Sequence, residues 1–326
     1  MKTVHVGIVG MGWFGNFHLD NLKKLPGVEV DALVNTSRDK LEAAGKKAPG
    51  ARLYTDYHDM LEQERGLDAL IVCVTPARHG DLEVLAAQRG IHLFVEKPIG
   101  LDLAAVERTA AAIQEAGIIA SVGYHERYNP ELDAIRAYVA EHPVGLAVGK
   151  WIGGMPGAAW WRDKAASGGQ IVEQCTHIFD VLRYILGDVE EVTTTAQTGL
   201  VPDVPHTVED ASASLVRFRN GALATILTGC YVDEDATPAD CGFTLYGKEV
   251  TIVYEWGKQA RWIAKAEQCT HVFPHEHHEL AIAAFIEAVR TGDATAIRSS
   301  YADGARTLAA TLAANRSLES GQTVRL

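Results

Sequence analysis

A charged pair stands where an apolar run ends, in the stretch HLFVEKPIG from His92 to Gly100. The apolar residues are typical of a buried strand, and Glu96, Lys97 and Pro98 follow them directly. Because proline disfavours the α region for the residue before it, Lys97 is predicted to be extended and to point out of the end of the sheet. A lysine fixed there and partly removed from water can donate a proton or a hydrogen bond to a reacting oxygen. The alternative interpretation is that the two charges only solvate a strand end.

The sequence predicts one long helix over GGQIVEQCTHIFDVLRYILG, and three polar residues share one of its faces. Glu173, His177 and Asp180 are four and then three residues apart, which places their side chains in one row. An imidazole titrates near neutral pH, so His177 suits removal of a hydroxyl proton during hydride transfer, and Glu173 can hydrogen-bond to the same substrate. The alternative is an ordinary solvated helix face beside the apolar stripe of the same helix.

Glycines in the G-x-G-x-x-G spacing follow the first β-rich run, in GIVGMGWFG, and a helical pattern comes next. In that context Gly10 permits a tight turn, Gly12 lets the backbone approach a pyrophosphate, and Gly15 lets the helix pack close to the sheet. The motif predicts a dinucleotide site, with Trp13 and Phe14 at the cofactor. The alternative is a glycine-rich turn that binds no ligand.

The end of the second β-rich run is where a cofactor ribose is expected. A carboxylate about 20 residues past the glycines would hold a ribose 2′-hydroxyl and repel a 2′-phosphate. This chain has Asn35, Thr36, Ser37 and Arg38 there, all four predicted to contact the cofactor. A neutral amide, a hydroxyl and a guanidinium that can pair with phosphate favour NADP over NAD. The alternative is that Asn35 serves NAD and that Arg38 is solvated at a helix start.

The elements that position these residues alternate between strand and helix patterns up to about residue 125. The apolar run ALIVCVTP is typical of a strand in a parallel sheet that is covered on both faces. Repeated β-α units of this kind predict a doubly wound parallel sheet, a Rossmann domain over residues 1–125. Ligands of such sheets bind beyond the carboxyl ends of the strands, where Thr75, Pro76, Glu96 and Lys97 are predicted to lie at the cofactor.

The pattern changes near residue 125, and long β-branched runs follow. Hairpin-like turns such as Arg219-Asn220-Gly221 separate some of these runs, which predicts an antiparallel sheet. Helical patterns precede and follow the runs, so residues 126–326 are predicted to form an α+β domain with a large, mostly antiparallel, open-faced sheet. The fold class is therefore α/β, with a nucleotide domain followed by a domain for substrate binding and oligomerisation.

The composition limits the class of protein. The chain has 326 residues, which favours two domains, and a formal net charge of -12, which disfavours nucleic acid as a partner. The five cysteines are scattered and odd in number, as in a reducing compartment. No apolar run is long enough for a membrane span and no leader pattern opens the chain, so we expect a cytoplasmic protein without a membrane partner.

Taken together, these motifs resemble the Gfo/Idh/MocA oxidoreductases, the family of glucose–fructose oxidoreductase and inositol dehydrogenase. The segments that carry the resemblance, across essentially the whole chain, are GIVGMGWFGNFH, VCVTPARHGDL, VEKPIG, GYHERYNP, SGGQIVEQCTHIFDVLRYILG and FIEAVRTG. The resemblance implies an NAD(P)-dependent enzyme that transfers hydride between nicotinamide and a secondary alcohol or ketone of a sugar, a sugar derivative or a cyclitol. It also implies homodimers or homotetramers.

The resemblance implies roles for single residues. The lysine of the family's Glu-Lys-Pro motif falls on Lys97, which would contact the substrate hydroxyl and help to place the nicotinamide ribose. The family's acid and histidine, four residues apart, fall on Glu173 and His177, and the histidine is taken as the general base. This chain departs from the common aspartate at Glu173, so the longer side chain could touch the substrate differently or only orient His177. Cys175 stands where a small residue is usual and is interpreted as a packing residue.

Other residues have a functional and a structural interpretation. The loop with Trp160, Trp161, Arg162 and Lys164 lies near the substrate in the family, and the alternative is a hydrophobic lid or an oligomer contact. Further residues with a predicted substrate or cofactor role, against a structural one, are Tyr124, Arg127, Asn129 and His79. For the first three the alternative is interdomain hydrogen bonding, for His79 it is a helix start, and His18 is predicted to be structural.

The segment HVFPHEHHEL carries His271, His275, His277 and His278. The spacing does not match His-Glu-x-x-His and no cysteine pair joins it, so no metal site is predicted. We expect a polar helix start, from which one histidine could reach the substrate.

Two other functions stay open on the sequence. A glycosidase with tightly bound NAD could oxidise its sugar transiently, would show no net cofactor reduction and would purify with nucleotide attached. A nucleotide-sensing regulator would do no chemistry. Such a regulator need not keep Lys97, Glu173 and His177 together, so their presence argues against it.

Overall fold

A computed structural model describes residues 2–274 and 276–326 of the chain. The strands, numbered along the chain, are β1 (Val4–Val9), β2 (Val28–Val34), β3 (Arg52–Tyr54), β4 (Ala69–Val72), β5 (His92–Val95), β6 (Ala120–Val122), β7 (Val144–Ile152), β8 (Val189–Gln197), β9 (Ala211–Phe218), β10 (Leu223–Gly229), β11 (Asp240–Gly247), β12 (Val250–Glu255), β13 (Gln259–Ala264), β14 (Gln268–Val272) and β15 (Val324–Arg325). The α-helices are α1 (Trp13–Leu22), α2 (Arg38–Gly45), α3 (Tyr57–Gln63), α4 (Leu82–Gln88), α5 (Leu103–Ala116), α6 (Pro130–Glu141), α7 (Ala159–Arg162), α8 (Lys164–Ser167), α9 (Gln170–Glu173), α10 (Thr176–Leu186), α11 (His277–Thr291) and α12 (Tyr301–Ser320).

The chain divides into two compact units. The first is formed by Met1–Tyr128 and His277–Ala305, and the second by Asn129–Glu276 and Arg306–Leu326. The predicted division at residue 125 assigned all later residues to one domain, whereas α11 packs in the first unit. Phe285 of α11 contacts Phe94 of β5 with 5.7 Å between ring centroids. An amphipathic pattern predicts a buried helix face, but it does not say which core that face joins.

The first unit contains a six-stranded sheet in the order β3-β2-β1-β4-β5-β6. All its strand pairs are parallel, so the predicted doubly wound Rossmann sheet is confirmed. The strand order reverses between β1 and β4, which is the place where such sheets bind dinucleotides. Strand β3 and helix α3 were not predicted. Strand β3 has three residues, of which only Tyr54 is buried, too few for an alternating pattern.

The second unit contains a nine-stranded sheet in the order β14-β13-β12-β11-β7-β10-β9-β8-β15. Strands β7 and β10 pair in parallel and the other neighbours are antiparallel, so the predicted mostly antiparallel sheet is confirmed. Helix α10 packs closely on one face. A methyl group at Gly149 of β7 would lie 2.3 Å from Ile178 Cγ2 and 3.0 Å from Leu182 Cδ1. The glycine therefore lets this helix approach the sheet.

The other face of this sheet carries apolar side chains that point away from the core. Leu146 of β7 and Leu215 of β9 are each 56% exposed, although strand neighbours flank both. Buried positions alternate with less buried ones along β9 and β10, which is typical of a sheet with one covered face. Within the described ranges, no helix is both long and apolar enough to span a membrane.

Candidate functional site

The glycine loop of the first unit has the geometry that the motif predicts. Gly10 has φ +96°, and a methyl group there would lie 2.4 Å from the Cys73 carbonyl oxygen. A methyl group at Gly15 would lie 2.0 Å from the Gly10 carbonyl oxygen, so α1 approaches the loop closely. Nothing lies within 4 Å of the corresponding position at Gly12. Gly12 is also the N-cap of α1 and provides no side-chain cap, so the first turn of this helix can offer N–H groups to an anion.

The loop therefore fits a dinucleotide pyrophosphate, and the residues between its glycines differ in exposure. Trp13 is 71% exposed and stacks on Phe17, with ring centroids 5.5 Å apart. Phe14 meets Trp13 edge to face at 4.7 Å. A cavity of about 500 Å³ beside Gly12, between α1 and α2, is lined by Met11, Gly12, Trp13, Asn16, Phe17, Asp20, Lys40, Ala43 and Lys47.

Asn35 binds the glycine loop through its side chain. Its Oδ1 accepts a hydrogen bond from the Met11 backbone N–H at 3.0 Å, and its Nδ2 donates to the Ser37 carbonyl at 3.1 Å. Asn35 thus stabilises the turn in addition to the cofactor role that the sequence predicts. Thr36 and Arg38 are exposed, and Arg38 begins α2 with Ser37 as its N-cap residue.

A short 3-10 turn, Pro76–Arg78, follows β4 with Thr75 as its N-cap. His79 comes next and is buried, and its Nδ1 hydrogen-bonds to Glu83. This contact fixes the imidazole ring, so the structural interpretation of His79 has direct support. The turn stands at the carboxyl end of β4, as predicted.

Glu96 and His18 form a buried pair at the end of β5. The His18 Nε2 and the Glu96 Oε1 are 2.7 Å apart, and both side chains are nearly inaccessible to water. The Lys97 backbone N–H donates to Glu96 Oε2 at 3.2 Å, and the Lys97–Pro98 peptide is cis. A methyl group at Gly123 would lie 2.6 Å from Glu96 Oε2, so the glycine makes room for this carboxylate. Lys97 is half-buried, which rules out a fully solvated strand end.

Burial by itself would raise the pKa of the Glu96 carboxyl. The hydrogen bond to His18 and the nearby positive charges of His18, His278 and Lys97 outweigh burial, so the pKa of Glu96 lies below its usual value. The carboxylate is therefore ionised at neutral pH. An ionised Glu96 holds α1, which follows the glycine loop, and the backbone that carries Lys97.

Tyr124 and Arg127 are buried in the first unit. The Arg127 Nη1 lies 2.5 Å from Asp303 Oδ2 and donates to the Arg298 carbonyl at 2.9 Å. These contacts connect the 3-10 turn His125–Tyr128 to the first turn of α12 and to the segment before it, so a structural role for Arg127 is evident. Its predicted contact with the substrate stays a prediction.

Asn129 is the first residue of the second unit. Its Oδ1 accepts from the Glu131 N–H at 3.0 Å as the N-cap of α6, and its Nδ2 donates to the Tyr254 hydroxyl at 2.6 Å. Both groups of the amide are therefore engaged inside one unit, and a structural interpretation suffices for this residue.

The predicted single long helix is in fact two helices, and this corrects the prediction. Helix α9 ends at Glu173, and the Cys175 N–H reaches back five residues to the Gln170 carbonyl at 2.9 Å before α10 begins. Such π-type turns often occur at functional sites. Because the helical ladder is interrupted between Glu173 and His177, the spacing of four does not by itself place them on one face.

His177 lies near the start of α10 and contacts two aromatic rings. The ring of Trp151 stacks on the imidazole with 5.1 Å between centroids, and Trp256 lies 5.5 Å from it. The Trp151 Nε1 donates to Gln174 Oε1 at 3.0 Å, which fixes that indole. Glu173 and His177 are 2% and 7% exposed, so the alternative of a solvated helix face is wrong. Neither tryptophan was predicted to contact the histidine.

The remaining polar member of the predicted row has a structural contact. Asp180 is buried and accepts a hydrogen bond from the Thr307 hydroxyl of α12 at 2.8 Å. Burial raises the pKa of the Cys175 thiol to about 12. A thiol that stays protonated at neutral pH is a poor nucleophile, which supports the interpretation of Cys175 as a packing residue.

The loop before α9 folds into two short helices. Trp160, Trp161 and Arg162 lie in α7 and are half-buried, and Lys164 begins α8. The Lys164 ammonium pairs with the buried Glu209 carboxylate, two residues before the start of β9. Glu209 was not predicted as a site residue. Its closeness to this loop is long-range and leaves no local sequence signal.

The described histidines of the segment HVFPHEHHEL have different partners. His271 of β14 hydrogen-bonds to Glu131 at 3.0 Å within the second unit. In the first unit, the His277 Nδ1 lies 3.2 Å from Glu126 Oε2, and His278 stacks on His125 with centroids 3.4 Å apart. His275 lies outside the described residues.

Comparisons with known proteins agree with this architecture. A model described as an oxidoreductase family with an NAD-binding Rossmann fold matches residues 4–124, and a GFO/IDH/MocA C-terminal domain model matches residues 144–253. The myo-inositol 2-dehydrogenase of Thermotoga maritima is 25% identical, with 99% of this chain and 98% of that protein aligned. The 1,5-anhydro-D-fructose reductase of Ensifer adhaerens is 25% identical over 98% of both proteins.

A solved structure shares the fold over nearly the whole length. It is an oxidoreductase from Agrobacterium radiobacter in complex with NAD+, L-tartaric acid and magnesium, with a TM-score of 0.86 at 19% identity, covering 99% of this chain and 98% of that one. The two family models match consecutive domains of one family and together cover more than half of the chain. The chain therefore belongs to the Gfo/Idh/MocA family of oxidoreductases, and its first domain is the family's NAD-binding Rossmann domain.

Proposed function

We propose that this protein transfers hydride between a nicotinamide cofactor and a secondary alcohol or ketone of a sugar, a sugar derivative or a cyclitol. The observation that carries the proposal is His177, a buried imidazole that stacks on Trp151 and follows the π-type turn between Gln170 and Cys175. Such an imidazole can take a hydroxyl proton when the alcohol is oxidised and return it when the ketone is reduced. The relatives named above act on a cyclitol and on a sugar derivative.

In this proposal the chemistry is divided among the cofactor and a few residues. The nicotinamide, when bound, accepts or gives the hydride. Gly10, Gly12 and Gly15 hold the pyrophosphate through the backbone and the start of α1. Lys97 donates a hydrogen bond to the reacting oxygen and stabilises the charge that develops there. His177 moves the proton.

Glu173 has a positioning role in the proposal. Its carboxylate is 2% exposed, at the last position of α9, and its backbone N–H donates to the Gly169 carbonyl at 3.0 Å. A carboxylate held there orients the imidazole or a substrate hydroxyl. Glutamate has one methylene more than aspartate. The longer side chain suits a backbone whose helix is interrupted at Cys175, before His177.

For the cofactor we propose that NADP is used at least as well as NAD. No carboxylate stands at the end of β2, where Asn35 is engaged with the glycine loop. Arg38 is exposed at the start of α2, where a guanidinium can pair with a 2′-phosphate. The solved relative binds NAD+, so both cofactors have to be tested.

We also propose that the protein is a cytoplasmic homodimer or homotetramer. The open face of the nine-stranded sheet carries the exposed Leu146 and Leu215, and Tyr246 lies beside Leu146 on the neighbouring strand. An apolar face of this kind suits a second copy of the chain. All five cysteines are free, as in a reducing compartment. Sedimentation of the wild type and of Leu146→Glu tests the oligomer.

The experiment that tests the function follows reduced-nicotinamide absorbance with NAD and with NADP against inositols, aldoses and keto-sugars. We expect turnover with at least one pair, and a loss of about 10²- to 10⁴-fold in kcat for His177→Asn, because that range is typical of a missing general base. His142→Asn, at an exposed histidine after α6, is the matched control. No turnover across the panel, with nucleotide still attached to the purified protein, would support the glycosidase instead.

A further inference from the structure

Buried polar atoms without a hydrogen-bond partner are concentrated in one part of the second unit. Across the described residues, four side chains contribute such atoms within or beside the segment 161–170. Both amide atoms of Gln170 belong to this set, together with Glu209 Oε2, Arg162 Nε and Trp161 Nε1. Gln170 and Glu209 are 2% and 5% exposed. Native proteins pair nearly all buried polar atoms, so such a group indicates a ligand or ordered water.

The backbone brings these side chains together. The Thr207 N–H donates to the Arg162 carbonyl at 2.9 Å, and the Lys164 N–H donates to the Thr207 hydroxyl at 2.8 Å. The Lys164 ammonium then pairs with Glu209 Oε1. Residues 162–164 and 207–209 therefore lie side by side, although more than 40 residues separate them in the chain.

Glu209 also lies against the start of α9. A methyl group at Gly169 would lie 2.8 Å from Glu209 Oε2, so this carboxylate occupies the space that the glycine leaves. Gln170 is the next residue, and Gly169 accepts the backbone N–H of Glu173 at 3.0 Å. The unpaired atoms of Gln170 and Glu209 are thus one helical turn before Glu173, on the segment that leads to His177.

We propose that Gln170 and Glu209 form a binding site for two neighbouring hydroxyl groups of a neutral polyol, an inference that rests on the proposed function and names its substrate class. Each hydroxyl both donates and accepts a hydrogen bond. The Gln170 amide supplies one donor and one acceptor, and Glu209 Oε2 supplies an acceptor while Lys164 holds the other oxygen. At hydrogen-bond distance from Glu209 Oε2 a ligand carboxylate has no proton to donate and would be repelled, so this oxygen selects a hydroxyl group over a carboxylate.

The test measures equilibrium binding by isothermal titration calorimetry with NADH or NADPH present, because the reduced cofactors cannot accept a hydride from the alcohols. The probes are myo-inositol, scyllo-inositol, one monodeoxy analogue of each, and glucuronate. We expect a polyol to bind at least tenfold more tightly than glucuronate, and at least one deoxy analogue to bind about tenfold or more weakly. Buried polar groups left without their partner penalise the analogue.

Two variants connect this discrimination to the residues. Gln170→Leu keeps the side-chain size and removes both polar atoms, and Glu209→Gln keeps the shape and removes the charge. We expect each to bind the intact polyol about tenfold more weakly and to discriminate less against the deoxy analogue, and Glu209→Gln also to reject glucuronate less. Gln114→Leu and Glu107→Gln, at exposed positions of α5, are the matched controls and should leave every value unchanged.

The outcomes separate this inference from the proposed function. Binding of a polyol with the expected discrimination, but without turnover, would keep the binding site and overturn the hydride transfer. Turnover with wild-type discrimination in both variants would overturn the binding site alone. Absence of polyol binding to the wild type would also overturn it. If the variants do not fold, as judged by thermal unfolding, the deoxy series on the wild type decides, because equal binding of parent and deoxy polyols contradicts the proposal.

Discussion

Two buried glutamates, one in each unit, sit against glycines in the same way and have different partners. A methyl group at Gly123 would lie 2.6 Å from Glu96 Oε2, and one at Gly169 would lie 2.8 Å from Glu209 Oε2. Glu96 uses both oxygens within the protein, one toward His18 and one toward the Lys97 N–H. Glu209 uses one oxygen toward Lys164, and its second oxygen has no hydrogen-bond partner among the described residues.

The difference indicates what each carboxylate is for. Burying a charge is unfavourable unless hydrogen bonds and opposite charges compensate it. Glu96 is compensated from inside the protein, so it is a positioning group that fixes the backbone of Lys97. The protein pairs only one carboxylate oxygen of Glu209, the one that contacts Lys164. The other oxygen is therefore available to a ligand. The glycine makes room for the carboxylate in both places, and the partners decide the role.

Of the changes that test this comparison, a change at Lys97 is expected to have the largest effect. Glu96 holds the backbone of this residue. Lys97→Met keeps the length of the side chain and removes the ammonium. We expect kcat to fall by about 10²- to 10⁴-fold, because a donor aimed at a developing oxyanion is lost, while nucleotide affinity stays within a few-fold. Steady-state kinetics and nucleotide titration measure the two quantities. Lys248→Met, at an exposed position, is the control, and wild-type turnover in Lys97→Met would remove Lys97 from the chemistry.

The sequence predicted the parts of the site that depend on local signals. Each of these signals lies within a few residues of the chain: the glycine spacing, the apolar run before Glu96 and the proline after Lys97. The six-stranded sheet follows from repeated β-α units. A helix cap is a local signal of the same kind, and the Asp102 side chain accepts a hydrogen bond from the Ala104 N–H at 3.0 Å at the start of α5. The spacing of Glu173 and His177 also predicts that they act as a pair, and this pairing stays a prediction because the helix is interrupted between them.

The other parts depend on contacts between distant residues. His18 and Glu96 are 78 positions apart, and Lys164 and Glu209 are 45 apart, so neither pair leaves a periodic signal. The break before α10 was missed because no glycine or proline marks it and the apolar stripe continues through Cys175. The placement of α11 in the first unit was missed for a similar reason, since its apolar face fits either core.

Adding a methyl group at Gly123 tests how rigidly the Glu96 carboxylate is held. Gly123→Ala should lower the free energy of unfolding by about 3 kcal/mol, at the upper end for overpacking, because the contacted carboxylate is itself fixed by His18. Turnover should fall as well, since Lys97 moves with its backbone. Thermal or denaturant unfolding measures the first effect. Gly145→Ala, where nothing lies within 4 Å of the added methyl, is the control; an equal loss in both variants would contradict a locked carboxylate.

The charge of Glu96 should also appear in the pH dependence of stability. Its pKa is lowered in the folded protein below the ordinary value of 4.5, so the ionised carboxylate stabilises the folded state above that pH. This contribution is lost as the pH falls from 4.5 through the folded-state pKa. Glu96→Gln should therefore cost about 2 kcal/mol near neutral pH, the range of a charged hydrogen bond, and less below pH 4.5. Denaturant unfolding of both proteins across this range tests it, and a difference that grows toward acid pH would have the wrong sign.

The smallest effect is expected at Arg38, whose charge is exposed and therefore screened by water, in contrast to both glutamates. Arg38→Ala should raise the KM for NADP about tenfold, roughly 1.4 kcal/mol, and leave the KM for NAD nearly unchanged, because only NADP carries the 2′-phosphate. Lys46→Ala, just beyond the other end of α2, controls for a general loss of positive charge. The NADP effect should weaken as salt is added. Equal changes for both cofactors would mean that Arg38 supports α2 or the dinucleotide in general, and that Asn35 serves NAD.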